Sequence, residues 1–253
     1  MTATAVEEVA QALLTARRER VPCNAERFAT TLVDAAEAYA VQDAVARGLG
    51  ETFPGHWKSG GPGREQPLTH AALPAAGVWA SPAVAADWPF HLRLIEAEVA
   101  LRLGADVTPA QAEALTQANA PSLIDAMTVS IELVDSRWRQ GPQAPPLLKL
   151  ADLQSHGALV LGDWRPFAPR DWAQQALTVR IGDRPAERFR GTHALGDPAW
   201  LLPQWLRHAT RGGATVPRGT VVTTGTWCGL LEAQAGDAVD VEFDGIGRAS
   251  VQL

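Results

Sequence analysis

The order of apolar and polar positions changes along this chain, from helical composition near the N-terminus to short alternating segments further on. Residues 3–19 and 25–47 are predicted to form two helices, the second opening at Asn24 as an N-cap. Between Glu51 and Pro89 the chain is rich in glycine and proline, which predicts irregular loops with at most short strands. The first part is therefore expected to be helical and to end in a long loop.

Strand patterns dominate the rest of the chain. A helix is predicted over 108–118 from its Thr108-Pro109 cap, and a last helix runs from Asp197-Pro198 or Pro203 to Gly212-Gly213. The remaining alternating segments predict strands at 96–103, 126–134, 157–161, 176–181, 186–190, 220–224, 238–243 and 249–253. Because helices and strands do not alternate regularly, the pattern favours a mixed α+β fold over a parallel α/β sheet.

Composition and charge narrow the class of protein. Of 253 residues, 46% are hydrophobic and 20% charged, which is enough for a sizeable core and too apolar for a disordered chain. The net charge is −6 and no lysine or arginine cluster occurs, so neither nucleic acid nor a membrane surface is an expected partner. Two cysteines are too few for a disulfide framework, and no apolar stretch approaches the length of a bilayer span. We expect a cytoplasmic protein that acts on small molecules.

Three glutamates form the most informative polar pattern. Glu96 and Glu98 alternate with apolar residues, so both carboxylates point to one face of a strand, and Glu132 lies on a second predicted strand. If the strands are neighbours, the carboxylates form an oxygen-rich site with open positions, which suits Mg²⁺ or Mn²⁺. The same alternation is typical of a half-buried strand whose glutamates face water, and spacing alone leaves both interpretations open.

Six segments carry a family resemblance: AYAVQ (38–42), WKSG (57–60), RLIEAEVAL (93–101), IELVDSR (131–137), VTTGT (222–226) and GDAVDVEF (236–243). Their order and spacing resemble the fumarylacetoacetate hydrolase superfamily, in its branch of 2-keto-4-pentenoate hydratases and 4-oxalocrotonate decarboxylases. The resemblance covers most of the chain. It implies an N-terminal helical region with the Gly/Pro-rich loop over 1–88, followed over 89–253 by a catalytic domain with the mixed β-roll of that family.

The resemblance also implies roles for individual residues. The metal ion, Mg²⁺ or Mn²⁺, is held by Glu96, Glu98 and Glu132. Lys58, in the glycine-rich loop, acts on the substrate, although without the resemblance it would be interpreted as a surface lysine. The small-residue turn of Thr224, Gly225 and Thr226 lies beside the substrate, where the alternative is a simple turn that ends a strand.

Three further positions concern the substrate. Arg137 can bind a substrate carboxylate or pair with a glutamate of the cluster. The related hydratases carry a Pro-Asp-Phe-Gly-like segment after the lysine, where this chain has PLTH (67–70), so the acid–base aspartate of the family has no counterpart and His70 is the candidate stand-in. Leu153 replaces the asparagine of the family's Ala-Asp-Asn segment, so contacts to the substrate are expected to differ there.

The function implied by the resemblance is that of a hydro-lyase. Such an enzyme uses the metal to add water to a small 2-hydroxy-2,4-dienoate during the catabolism of aromatic compounds. A 2-oxo acid decarboxylase or an acylpyruvate C–C hydrolase would use the same metal site, and a non-catalytic 2-oxo-acid-binding or accessory subunit is the alternative of another class. The resemblance further implies a homo-oligomer that associates with a related decarboxylase.

Overall fold

The computed structural model describes residues 4–51 and 54–253. The α-helices are α1 (Ala5–Glu19), α2 (Ala35–Gly48), α3 (Pro109–Glu113), α4 (Pro146–Ala151) and α5 (Leu202–Ala209). Thr4 and Glu7 start α1 with a capping box in which each side chain accepts a hydrogen bond from the other residue's backbone amide. Within the described ranges, each helix is too short or too polar to cross a membrane.

The helix predicted over 25–47 is wrong as a single element. Ala25–Phe28 forms a 3-10 turn capped by Asn24, and α2 begins after a second cap at Asp34. The Asp34 carboxylate accepts a hydrogen bond from the Glu37 amide at 2.9 Å. Because each cap satisfies amides at a separate helix start, the segment divides in two. α1 packs against α2 and α2 packs against α4, and the three helices contribute to one apolar cluster.

The strands, in chain order, are β1 (His56–Gly60), β2 (Thr69–Leu73), β3 (Val78–Ala80), β4 (Ala83–Val84), β5 (Leu94–Leu103), β6 (Ile124–Val134), β7 (His156–Leu161), β8 (Arg165–Pro166), β9 (Ala176–Ile181), β10 (Glu187–Arg190), β11 (Val221–Thr223), β12 (Leu231–Glu232), β13 (Ala238–Phe243) and β14 (Gly247–Gln252). The large sheet has the order β2-β1-β11-β5-β6-β7-β3, with β12 beside β5 and β8 beside β6. The second sheet has the order β10-β9-β13-β14-β4. Parallel and antiparallel pairs occur in both sheets, which confirms the predicted α+β class.

The core lies between the two sheets, where β14 packs against β6 and β7. On β5 the residues with odd numbers enter this core and are fully buried: Ile95, Ala97, Val99, Leu101 and Leu103. Their period of two leaves Glu96 and Glu98 together on the opposite face. The helix predicted over 108–118 ends at Glu113, because the Asn119 side chain accepts from the Thr116 amide and forms a turn there.

The segment between Glu51 and Pro89 contributes four short strands, β1 to β4. Lys58 is the central residue of β1, which pairs with β2 and, in parallel, with β11 from the far end of the chain. The expectation that Lys58 lies in a glycine-rich loop is therefore wrong. The domain division at residue 88 stays a prediction, although β1, β3 and β4 pair with strands that follow that residue.

Candidate metal centre

The three predicted carboxylates meet on one face of the large sheet. β5 and β6 are antiparallel neighbours in which Glu96 lies directly opposite Glu132, and Glu98 follows on the same face of β5. One carboxylate oxygen from each residue lies within 4.8 Å of the other two. Glu98 and Glu132 are almost fully buried, so the alternative of water-facing glutamates does not apply to them. This geometry can hold a metal ion.

The electrostatics of the cluster fit a divalent cation. Burial, together with the neighbouring carboxylates, raises the pKa of Glu96 to about 8 and the pKa of Glu98 to about 7, against the opposing effect of Lys58. Glu132 Oε2 is buried and has no hydrogen-bond partner among the described residues. The protein itself does not compensate negative charge on Glu96 and Glu98, and a Mg²⁺ or Mn²⁺ ion bound by the carboxylate oxygens would supply that compensation.

Lys58 lies beside this cluster and is buried. Its Nζ is 2.6 Å from Glu132 Oε1 and also donates to the Gln154 carbonyl oxygen at 3.2 Å. Burial alone would lower the pKa of the Lys58 ammonium, but the three nearby glutamates outweigh burial and raise it. Burial alone would raise the pKa of the Glu132 carboxyl, but the neighbouring Lys58 and His156 outweigh burial and lower it. Lys58 and Glu132 therefore form a charged pair at neutral pH.

Hydrogen bonds fix the orientation of two carboxylates. Glu132 Oε1, already paired with Lys58, also lies 3.2 Å from His156 Nδ1. Glu98 Oε2 accepts from the Gly225 amide at 3.0 Å and from the Thr223 hydroxyl. Each carboxylate thus has one oxygen held by protein donors and a second oxygen available to a ligand. His156 had no signal in the sequence, because its contact with Glu132 depends on the register of β6 and β7.

The turn after β11 lies beside the carboxylate cluster. Gly225 has φ +101°, which favours glycine, and this conformation aims its amide at Glu98. Thr224 is fully buried and its hydroxyl donates to the Val99 carbonyl oxygen at 2.7 Å. The Thr226 hydroxyl donates to the Gly229 carbonyl oxygen at 2.8 Å. The turn is therefore anchored to β5, and direct contact of these residues with a substrate stays a prediction.

A strained turn brings Gln154 to the site. Leu153, Gln154 and Ser155 all have φ between +51° and +59°, a left-handed conformation that costs non-glycine residues about 1–2 kcal/mol each. The Gln154 carbonyl oxygen accepts a hydrogen bond from Lys58, while the buried Gln154 Nε2 has no partner among the described residues. The family resemblance predicts an asparagine at position 153, where this chain has leucine. Gln154 supplies a side-chain amide one residue later.

The cluster opens into a cleft with two chambers. Both chambers are lined by Lys58, Thr69, Glu96 and Gln154, which form the rim between them. The smaller chamber has a volume of about 230 Å³ and includes Glu98 and the turn of residues 224–226. The larger chamber has a volume of about 580 Å³, within the usual range of small-molecule sites, and half of its lining residues are leucine, proline or valine. A ligand bound at the glutamates can therefore extend into either chamber.

Two predicted residues lie away from this cleft. His70 is opposite Ser59 on β2, so its side chain lies on the other face of the sheet from Lys58, 2.8 Å from the Ser59 hydroxyl. Arg137 is buried and its Nε donates to Asp152 Oδ1 at 2.6 Å, so its partner is not a glutamate of the cluster. The structure does not bring His70 or Arg137 to the carboxylates, and we assign them no part in the chemistry.

The raised pKa values predict how stability depends on pH. In the folded, metal-free protein Glu96 and Glu98 retain protons up to about pH 7–8, whereas the ordinary value in an unfolded chain is 4.5. Stability should therefore fall as the pH rises through this window. Burial lowers the pKa of histidines such as His70, and a lowered histidine pKa makes stability rise with pH. This opposite effect ends at about pH 6.5, the ordinary histidine value.

The measurement is the melting temperature in EDTA between pH 6.5 and pH 8.5, compared with the same series in Mg²⁺. We expect a decrease with rising pH in EDTA that Mg²⁺ largely removes. A flat profile in EDTA, or a decrease that Mg²⁺ leaves unchanged, would contradict the charge assignment of the cluster.

The mixed sheets and the buried carboxylate cluster together define an α+β protein with a candidate site for a divalent cation. The family model described as "Fumarylacetoacetate (FAA) hydrolase C-terminal" matches residues 55–253. The chain therefore belongs to the fumarylacetoacetate hydrolase family, as the sequence motifs predicted.

Two relatives are similar in sequence to part of this chain. 2-Keto-4-pentenoate hydratase 1 of Dechloromonas aromatica (strain RCB) is 33% identical over 162 residues, which are 62% of this chain and 58% of that protein. 4-Oxalocrotonate decarboxylase of Pseudomonas sp is 26% identical over 149 residues, 59% of this chain and 54% of that protein. The matched region thus spans less than two thirds of these relatives.

A solved structure confirms the predicted β-roll. The 4-oxalocrotonate decarboxylase from Pseudomonas putida G7, complexed with magnesium and adipate, superposes with a TM-score of 0.84 over 99% of this chain and 98% of that chain. The two sequences are 18% identical, so the likeness concerns the fold.

Proposed function

We propose that this protein is a lyase that depends on a divalent metal ion and adds water to a small 2-hydroxy-2,4-dienoate. The observation that carries the proposal is the convergence of Glu96, Glu98 and Glu132 beside Lys58 in a cleft. The relatives named 2-keto-4-pentenoate hydratase support hydration, because they are more similar in sequence than the decarboxylase relative. Mg²⁺ and Mn²⁺ are the proposed cofactors.

The donor set explains why a 2-oxo acid is the proposed ligand. The three glutamates would hold the cation, leaving coordination positions open toward the cleft. A bound cation supplies Lewis acidity to the 2-oxo group of a substrate that chelates it through carboxylate and ketone oxygens. The carbon chain of such a substrate must leave through one of the two chambers, and the larger one has apolar walls that match it.

Lys58 is the proposed catalytic cation of the chain. Two of its three N–H groups are used by Glu132 and the Gln154 carbonyl oxygen, and the third can point into the cleft. There it would compensate the negative charge that develops on the substrate when its enol rearranges to the ketone. Gln154 Nε2, which is unpaired at the same rim, is the proposed donor to a substrate oxygen.

The test is an ultraviolet assay with 2-hydroxypenta-2,4-dienoate, 4-oxalocrotonate and an acylpyruvate, each with Mg²⁺ and with EDTA. We expect loss of dienoate absorbance only with Mg²⁺, and a product heavier than the substrate by one water molecule. Loss of carbon dioxide from 4-oxalocrotonate would instead identify a decarboxylase, and cleavage into two acids would identify a C–C hydrolase. Binding of a 2-oxo acid without turnover of any substrate would support the non-catalytic alternative.

A further inference from the structure

The two lysines of this chain lie in the same cleft. Of its 22 basic residues only Lys58 and Lys149 are lysine, and every other one is arginine. Both line the larger chamber of the cleft. A chain that uses arginine at all other basic positions thus has its two compact ammonium groups at one site. Lys58 belongs to the metal centre, whereas Lys149 has no part in the chemistry described above.

Lys149 is the charged side chain of the larger chamber beyond the rim shared with the smaller one. It lies in the last turn of α4, and its Nζ donates to the Pro142 carbonyl oxygen at 3.0 Å. Among the described residues, no carboxylate lies within 4.0 Å of this nitrogen. Because an ammonium has three N–H groups, two remain for a ligand. The positive charge of Lys149 is therefore uncompensated.

The other walls of the larger chamber carry no further charged side chain. They combine two serines with seven apolar residues: Ser136, Ser155, Pro62, Leu92, Val134, Pro142, Pro146, Leu150 and Leu230. Glu96 and Lys58 lie at the rim, and Lys58 is already neutralised by Glu132. Beyond the rim, Lys149 is therefore the one charged group that this lining offers to a ligand running from the glutamate cluster into the chamber.

We propose that the larger chamber binds a second, terminal carboxylate of the substrate, and that Lys149 is the residue that recognises it. The substrate class is then a dicarboxylate whose 2-oxo or 2-hydroxydienoate end lies at Glu96, Glu98 and Glu132. A carboxylate fits a single ammonium, whereas a phosphate group would require more cationic donors than this chamber offers. This inference rests on the proposed function for the position of the 2-oxo end.

The direct test compares two ligands of equal chain length, 2-oxoadipate and 2-oxohexanoate, by calorimetric titration in Mg²⁺. They differ in the terminal carboxylate, so their affinity ratio reports the proposed contact. We expect the unaltered protein to bind 2-oxoadipate about tenfold more tightly, equivalent to about 1.4 kcal/mol. Lys149→Met, which keeps most of the side-chain volume, should remove the preference, and Lys149→Arg should retain part of it. Arg139→Met, an exposed cation outside the cleft lining, should leave the ratio unchanged.

The rarity of lysine permits a second, spectroscopic readout. Isotopic labelling of lysine gives two side-chain signals, and the signal absent in Lys149→Met belongs to Lys149. In Mg²⁺ we expect 2-oxoadipate to shift this signal more than 2-oxohexanoate does. A shift confirms contact even if Lys149→Met alters the stability of α4.

The outcomes separate this inference from the proposed function. Equal affinity for the two acids, or a preference that survives Lys149→Met, would overturn the inference while leaving the metal-dependent lyase intact. A preference that depends on Lys149 in a protein without turnover of any dienoate would support the inference and overturn the lyase. Failure of both acids to bind in Mg²⁺ would overturn the inference together with the metal centre.

Discussion

Glu98→Gln is expected to abolish binding of Mg²⁺ and to reduce turnover by about 10³-fold, the equivalent of roughly 4 kcal/mol of transition-state stabilisation. Glu98 is almost fully buried, and Thr223 and Gly225 orient its Oε2, so the amide can keep the same position. The substitution removes the charge and one ligand oxygen without leaving a cavity. Calorimetric titration with Mg²⁺ measures the first effect, and the dienoate assay measures the second.

The same variant is also expected to stabilise the metal-free protein. Because burial and the neighbouring carboxylates raise the pKa of Glu98 to about 7, its negative charge destabilises the metal-free protein at pH 8. Metal-free Glu98→Gln should therefore melt at a higher temperature than the metal-free unaltered protein at that pH. Glu242→Gln, on an exposed position of β13, is the matched control and should change neither property. Unchanged affinity for Mg²⁺ in Glu98→Gln would remove Glu98 from the metal centre.

Lys58→Met is expected to lose turnover and to destabilise the folded protein by about 3–5 kcal/mol, the usual effect of removing one partner of a buried ion pair. Lys58 Nζ lies 2.6 Å from Glu132 Oε1, and Glu132 is fully buried, so the variant leaves an uncompensated carboxylate in the sheet. Urea unfolding in EDTA measures the loss. The absence of metal matters, because a bound cation would itself compensate Glu132.

The double variant Lys58→Met/Glu132→Gln separates folding from chemistry. Since it removes both charges, it should recover most of the lost free energy of unfolding but none of the turnover. A free energy of unfolding for Lys58→Met within about 0.5 kcal/mol of the unaltered protein would indicate an exposed lysine in a loop, as the sequence had predicted. Recovered turnover in the double variant would exclude Lys58 from the mechanism.

The sequence was most informative where a local period decides the structure. Alternation on β5 put Glu96 and Glu98 on one face, and the Thr108-Pro109 cap marked the start of α3, which the structure confirms. The family motifs added Glu132, whose position opposite Glu96 depends on the pairing of two strands and cannot be read from spacing. The carboxylate cluster was therefore predictable from alternation and motif together.

The errors arose where partners lie far apart in the chain. Lys58 was predicted in a loop because the segment around it is rich in glycine and proline, and β1 becomes a strand by pairing with β2 and β11. The register of β1 and β2 decides that His70 faces away from the cleft, and Asp152 decides the orientation of Arg137. His156 and Gln154 were not predicted as site residues, because their contacts with Glu132 and Lys58 exist only once the sheet and its strained turn have formed.

Glu96, Glu98 and Glu132 are proposed to bind one divalent cation, which a 2-oxo acid then chelates. A crystal grown with Mn²⁺ and 2-oxoadipate would test this arrangement through the anomalous scattering of manganese. We expect one strong peak at a coordination distance of roughly 2 Å from an oxygen of each glutamate, with the 2-oxo group completing the coordination shell. A peak at other residues, or no peak between these three carboxylates, would contradict it.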